Sequence, residues 1–152
     1  MTAIADEKNL YLLEFTDRRG IDHEIQRFKK IIKGSIIKGN SEPISLIEEL
    51  EQYFNGELTH FKTPFIMLGT PFQQKVWKEL LKIPYGSTTS YAEIAHAVKN
   101  PKGYRAVAQS IGANQLALVI PCQRVINKNG NLGGYAGGVT RKQWLLDHER
   151  QK

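Results

Sequence analysis

The stretch Ser90-Tyr91-Ala92-Glu93-Ile94-Ala95-His96-Ala97-Val98, Lys99-Asn100-Pro101-Lys102-Gly103, Tyr104-Arg105-Ala106-Val107-Ala108-Gln109-Ser110-Ile111-Gly112 reads as two short helices joined by a tight turn. Ser90 and Glu93 have the spacing of a capping box, in which the serine hydroxyl accepts the Glu93 N–H and the glutamate reaches back to the Ser90 N–H. The first helix, Tyr91 to Val98, turns Ile94, Ala95 and Val98 inward. The second, Tyr104 to Ile111, buries Val107, Ala108 and Ile111 and stops at Gly112. A longer helix precedes them, Phe72 to Leu81, with Phe72, Val76 and Leu80 at i, i+4 and i+8. Small residues at Ala92, Ala95, Ala97, Ala106 and Ala108 permit close helix approach, the pattern of a helix-turn-helix. An ordinary helical hairpin would carry the same pattern. In the nucleic-acid reading, the second helix lies on DNA and presents Arg105 and Gln109.

The charge distribution separates those readings. Of 152 residues, 1–60 carry eight Lys/Arg against eleven Asp/Glu, whereas 61–152 carry thirteen against four. The net charge of +6 is therefore −3 in the first part and +9 in the second. A surface that only confers solubility mixes its signs. A concentrated positive field draws polyanions, which favours DNA while leaving RNA or an anionic membrane open. No apolar run approaches the roughly 20 residues of a membrane span. The N-terminus lacks the basic and apolar regions of a secretory signal. With one cysteine there is no intrachain disulfide, which suits a reducing, cytoplasmic setting. One cysteine and four scattered histidines make no metal-ligand cluster, so no metal is expected.

Downstream, Leu116 to Ile120 is an apolar run that delivers Pro121-Cys122-Gln123-Arg124-Val125 immediately beyond the recognition-like helix. Gly130 to Gly138 then holds five glycines in nine residues around Tyr135, a pattern suited to a wall against a flat ligand. Thr140 and Gln143 have capping-box spacing and open a last helix through Trp144, Leu145 and His148. Upstream, Asn9 to Phe15 reads as a strand, and Ile21, Ile25, Phe28 and Ile32 mark one helix face. Gly34 to Asn40 breaks that helix, with an apolar pair at Ile36-Ile37. Ser45 to Phe54 is a second helix with Leu46, Ile47, Leu50 and Phe54 on one face. Asp6, Asp17 and Asp22 flank turns and are expected to be solvated. The first 62 residues hold no constellation of catalytic types and read as structural. Their single evident strand lacks a partner, so a truncated opening strand is expected. The expected architecture is an α/β (α+β) domain over 1–69, then a mainly α domain over 70–152 with a winged helix-turn-helix-like motif.

A lone cysteine is often a small buried hydrophobe. To act as a nucleophile Cys122 must ionise, and an unperturbed thiol of pKa about 8.5 is only a few per cent thiolate near neutrality. Arg124 and Lys142 are candidate cations, and His148 is the nearest histidine in the C-terminal segment. A thiol beside a DNA-binding motif points to chemistry on a base flipped out of the duplex.

From about Thr70 to Glu149 the chain resembles the O6-alkylguanine-DNA alkyltransferases, also called methylated-DNA–protein-cysteine methyltransferases. The matching residues are Ser90-Tyr91, Arg105-Ala106-Val107, Ala113-Asn114, Ile120-Pro121-Cys122, Arg124-Val125, Gly134-Tyr135-Ala136-Gly137-Gly138 and Lys142-Gln143-Trp144-Leu145 to Glu149. Residues 1–62 resemble the family's variable N-terminal domain more weakly. The resemblance implies a monomer that repairs double-stranded DNA containing O6-alkylguanine, once per molecule and without cofactor or metal. Cys122 would take the alkyl group, Arg105 would fill the space left by the flipped base, and Ala106 and Gln109 would lie on the DNA. Tyr91 would crowd the adjacent phosphate and donate toward the purine N3. Backbone groups of Cys122 and Val125 would meet the exocyclic amine. Tyr135, Ala136 and Gly137 would line the pocket, Asn114 would brace the active-site turn, and Lys142 and Glu149 would support the site. The family pattern Pro-Cys-His-Arg-Val is broken by Gln123, whose carboxamide cannot accept the thiol proton as an imidazole would. The implied alternative is a protein that binds alkylated DNA with weak or no transfer.

Overall fold

The computed structural model describes residues 1–32 and 45–151. The expected break at Gly34 to Asn40, with Ile36-Ile37, lies outside the described residues. Strand β1 (Thr2–Ala5) pairs antiparallel with β2 (Leu10–Glu14). Strand β2 thus has a partner that was not evident in the sequence. Thr-Ala-Ile-Ala is short and offers one buried side chain, Ile4, so its periodicity is invisible in the sequence. The other edge of β2 is closed by distant backbone. Leu10 N–H donates to Pro64 O at 2.8 Å, Leu13 N–H to Gln115 O at 2.8 Å, and Ala117 N–H to Leu13 O at 2.8 Å. That register sets Glu14 and Phe15 beside the chain leading to Cys122.

Helix α1 (Ile21–Ile32) covers the strand pair, with Phe28 packed into a cluster with Ile4 and Leu12. Asp22 and Glu24 in its first turn and Lys29 and Lys30 in its last match the helix dipole. Helix α2 (Leu46–Phe54) faces differently from its apolar pattern. Leu46, Glu49 and Tyr53 are buried, while Ile47 and Phe54 are exposed. The cause is polar: the Glu49 carboxylate accepts the Lys62 N–H, the Thr63 N–H and the Thr63 hydroxyl, and Tyr53 is drawn inward by a partner described below. The aspartates behave as solvated turn residues: Asp6 accepts from the Lys8 and Asn9 N–H groups, and Asp17 pairs with Arg141. Among the described residues no group of ligating side chains could hold a metal ion.

Helix α3 (Pro71–Leu80) begins at a capping box between Thr70 and Gln73, with proline at its start. The short strand β3 (Thr89–Ser90) leads into α4 (Tyr91–Ala97), whose Ser90–Glu93 capping box forms with both reciprocal bonds. Lys99, at φ 60°, continues the turn toward α5 (Tyr104–Gly112). Helices α3, α4 and α5 pack against one another around Val76, Trp77, Leu80, Ile94, Ala95, Val98, Val107 and Ile111. The Trp77 indole N–H donates to Ser110 O at 2.7 Å, tying α3 to α5. After Ile120 the chain makes a single 3₁₀ turn, Cys122–Arg124, and strand β4 (Val125–Ile126) runs parallel to β3. Helix α6 (Val139–Arg150) closes the fold. Its expected Thr140–Gln143 capping box does not form. Gly138, at φ 96°, carries the chain into the helix two residues earlier, so Thr140 lies inside the first turn. Gln143 donates instead to Asp147 at 2.9 Å. The result is a mixed helix and sheet fold, in agreement with the class expected.

Candidate active site

Cys122 opens the 3₁₀ turn, directly after Pro121 at φ −80°. Its own N–H donates to Ile120 O at 2.8 Å, which tightens the entry. Asn114, at the end of α5, clamps the segment from both sides. Its amide donates to Ile120 O at 2.9 Å and to Cys122 Sγ at 3.2 Å, while its carbonyl accepts the Leu116 N–H at 3.0 Å.

The thiol borders a cavity of about 330 Å³ lined by Glu14, Tyr91, Ala108, Ile111, Gly112, Asn114, Ala117, Cys122 and Gly134 to Gly137. Ala108, Gly112, Gly134 and Ala136 are exposed and form its mouth; Glu14, Asn114, Ala117 and Cys122 are buried and form its floor. Two glycines make the walls possible. A Cβ at Gly133, where φ is +71°, would stand 3.0 Å from the Tyr91 hydroxyl. A Cβ at Gly137 would stand 2.7 Å from the Phe15 ring and 2.9 Å from that of Tyr135. The Tyr135 hydroxyl is buried and has no hydrogen-bond partner among the described residues. Space of this size with a few polar groups suits a small flat ligand.

Burial pushes the Cys122 thiol up to about 11, against the Asn114 hydrogen bond and the nearby charge of Lys142, and with the Glu14 charge adding to the rise. The resting group is a neutral thiol. Lys142 is fully buried and donates to Val125 O at 2.6 Å, Leu132 O at 2.5 Å and Gly134 O at 3.2 Å, pinning the glycine run to β4. Burial pulls its ammonium down to about 8, and proximity to Cys122 opposes that fall.

Gln123 is fully buried behind the thiol. Its amide nitrogen donates to Glu149 Oε1 at 2.8 Å, and its carbonyl oxygen has no partner among the described residues. Glu149 is saturated: Oε1 accepts from Tyr53 Oη at 2.7 Å and Arg124 Nη2 at 3.2 Å, and Oε2 from Arg124 Nε at 2.7 Å. Burial alone would raise its pKa, but the Arg124 contacts, with those of Tyr53 and Gln123, hold it below the usual carboxylate value. Arg124 is thus committed to Glu149 and to Ile83 O rather than offered to the thiol. His148 is also removed from the thiol. Its Nε2 meets Tyr53 O at 2.7 Å and its ring stacks on Trp144.

The structure therefore gathers Cys122, Tyr91, Asn114, Tyr135, Ala136 and Gly137 around one cavity, with Lys142, Gln123 and Glu149 behind it. Val125 is buried outside the cavity lining, its carbonyl accepting from Lys142. Arg105 and Gln109 are exposed on α5, and Ala106 is half-buried beside them. The sequence reading missed Glu14, Phe15 and Tyr53. All three lie in the part read as purely structural, yet Glu14 lines the floor, Phe15 backs Gly137 and Tyr53 holds Glu149. The only signal available was a glutamate enclosed by Leu13 and Phe15 at the end of an apolar strand.

The family model described as "6-O-methylguanine DNA methyltransferase, DNA binding domain" matches residues 71–151. A methylated-DNA–protein-cysteine methyltransferase of Mycobacterium tuberculosis is 48% identical over 106 residues, which are 70% of this chain and 64% of that protein. The constitutive methylated-DNA–protein-cysteine methyltransferase of Bacillus subtilis is 52% identical over 104 residues, 68% of this chain and 63% of that protein. The matched stretch thus spans just under two thirds of the length of both relatives. The crystal structure of Mycobacterium tuberculosis OGT in complex with DNA aligns with a TM-score of 0.81 at 36% identity, covering 98% of this chain and 85% of that one.

Proposed function

The chain belongs to the 6-O-methylguanine DNA methyltransferase family, and from that premise we propose that it repairs duplex DNA by moving the alkyl group of O6-alkylguanine to Cys122. The observation that carries this reading is a thiol clamped by Asn114 at the floor of a cavity of about 330 Å³ whose mouth adjoins α5. Helices α4 and α5 form the DNA-reading pair, with Arg105 entering the duplex behind the flipped base and Gln109 beside it. The mainly positive C-terminal part supplies the attraction to phosphate. The protein acts as a cytoplasmic monomer, without metal or diffusible cofactor.

In the reaction the Sγ–C bond forms as the C–O6 bond breaks, with sulfur, carbon and oxygen in line. The thiol proton leaves Cys122 and a proton is delivered to the departing purine, so the net exchange is S–H and C–O for S–C and purine N–H. Tyr91 lines the same cavity as Cys122 and is the residue assigned to deliver it; burial raises its pKa, so its hydroxyl carries a proton but is a weak acid. Lys142 and the Asn114 amide favour the developing thiolate. The thioether is stable, so each molecule reacts once. Intact-mass spectrometry after incubation with an O6-methylguanine duplex checks this: one added methylene per chain, absent from Cys122→Ala, is expected. Unchanged mass with retained binding would instead establish the lesion-binding alternative.

That second reading is favoured by one observation, the buried carboxamide of Gln123 where a proton acceptor is expected. Gln123→His would place an imidazole between Glu149 and the thiol. Single-turnover transfer is expected to accelerate by about 10- to 100-fold, equivalent to about 1.4–2.7 kcal/mol. Equal rates across pH 6 to 9 would show that glutamine fills the role unaided.

A further inference from the structure

Glu14 is the one ionisable side chain on the cavity floor besides the thiol, and it comes from β2 rather than from the part that carries the chemistry. It is 2% exposed. One carboxylate oxygen accepts the Phe15 N–H at 3.2 Å, and the other pairs with Arg18. Both contacts come from the strand end and the turn after it, so the carboxylate is fixed in place; Glu14 lines the cavity and Arg18 does not. Glu14 shares the floor with Asn114, Ala117 and Cys122, whereas the exposed lining residues mark the mouth. A group delivered to Sγ must enter this cavity, which Glu14 also lines, and the Glu14 charge is near enough to act on the Cys122 thiol.

Resting on the alkyl-transfer reading above, we propose that Glu14 is a specificity-determining residue that discriminates alkyl groups by charge, admitting neutral ones and rejecting those that end in an anion. Two negative charges brought together in a site with little water repel strongly, because the low local dielectric weakens screening. Arg18 is not part of the cavity lining, and the charge felt at the Cys122 thiol from this pair is that of Glu14. An uncharged group of equal size meets no such barrier.

The test compares duplexes carrying O6-methyl-, O6-carbamoylmethyl- and O6-carboxymethylguanine, the last two matched in size and differing in charge. With the wild-type protein, single-turnover transfer of carboxymethyl is expected to be at least about tenfold slower than that of carbamoylmethyl. Glu14→Gln narrows the gap to about twofold by leaving Arg18 unopposed, and Arg18→Gln widens it by leaving the carboxylate unopposed. A merely structural role would move both variants in the same direction. Equal rates in the wild type, or a gap that Glu14→Gln leaves unchanged, would overturn the proposal. The wild-type comparison decides the matter even where a variant fails to fold. The same series measured as Kd with Cys122→Ser separates the two claims: a charge order in binding without methyl transfer by the wild type would defeat the transfer reading and uphold Glu14.

Discussion

Two buried carboxylate–arginine pairs, Glu14–Arg18 and Glu149–Arg124, behave in opposite ways. Glu14 and Glu149 are equally buried, each 2% exposed. Glu149 accepts from Arg124, Tyr53 and Gln123, and its pKa is lowered against the effect of burial. Among the described residues Glu14 has only Arg18 and one backbone N–H; burial prevails and its pKa is raised. The difference is the number of donors, not the depth. Glu149 is a structural anchor whose charge is fully answered. Glu14 has fewer donors among the described residues and lines the cavity.

The comparison predicts unequal costs. Glu149→Ala leaves Arg124 buried and unpaired, and denaturant unfolding should report a loss of about 3–5 kcal/mol. Tyr53→Phe removes one hydrogen bond to a charged oxygen and should cost about 2 kcal/mol. Gly137→Ala presses a methyl into Phe15 and Tyr135, and a loss of about 1–3 kcal/mol is expected, with slower alkyl transfer as the cavity narrows. Acid titration of stability should then show the two pairs diverging in sign. The folded pKa of Glu149 lies below its ordinary 4.5, so its contribution is present above that value and lost as pH falls through the folded pKa. The gap between wild type and Glu149→Gln should close on acidification. The folded pKa of Glu14 lies above 4.5, so its contribution is complete below that value and lost as pH rises through the folded pKa. The gap between wild type and Glu14→Gln should close on going toward neutrality. Parallel curves for the two variants would break the comparison.

What could be read from the sequence was what depends on near neighbours or on a recurring spacing. The Ser90–Glu93 capping box needs three residues of chain, and it forms as written. The Thr140–Gln143 pair has the same spacing and fails, because the positive φ of Gly138 decides where α6 starts and no pattern announces it. Strand Thr2–Ala5 is defined by its pairing with β2 and not by its own side chains. Gln123 stood out at once as a departure from a motif. Tyr53 did not, since its contact to Glu149 spans 96 positions of sequence. Glu14 reaches the floor only because Leu13 shares backbone hydrogen bonds with Gln115 and Ala117. The chemistry was legible where residue types cluster in sequence; the wall that encloses it is a tertiary fact.

That wall bears on how long the protein keeps its competence. Oxidation to sulfenic acid begins from an accessible thiolate, as does unwanted reaction with any soft electrophile in solution. Cys122 is 9% exposed and held as a thiol by its burial, and the Phe15 ring packed against Gly137 is part of that enclosure. A residue that can be consumed only once, in the proposed chemistry, gains from being inert until a base is delivered to it. Phe15, directly after β2 and far in sequence from Cys122, thereby contributes to the enclosure that keeps the thiol inert.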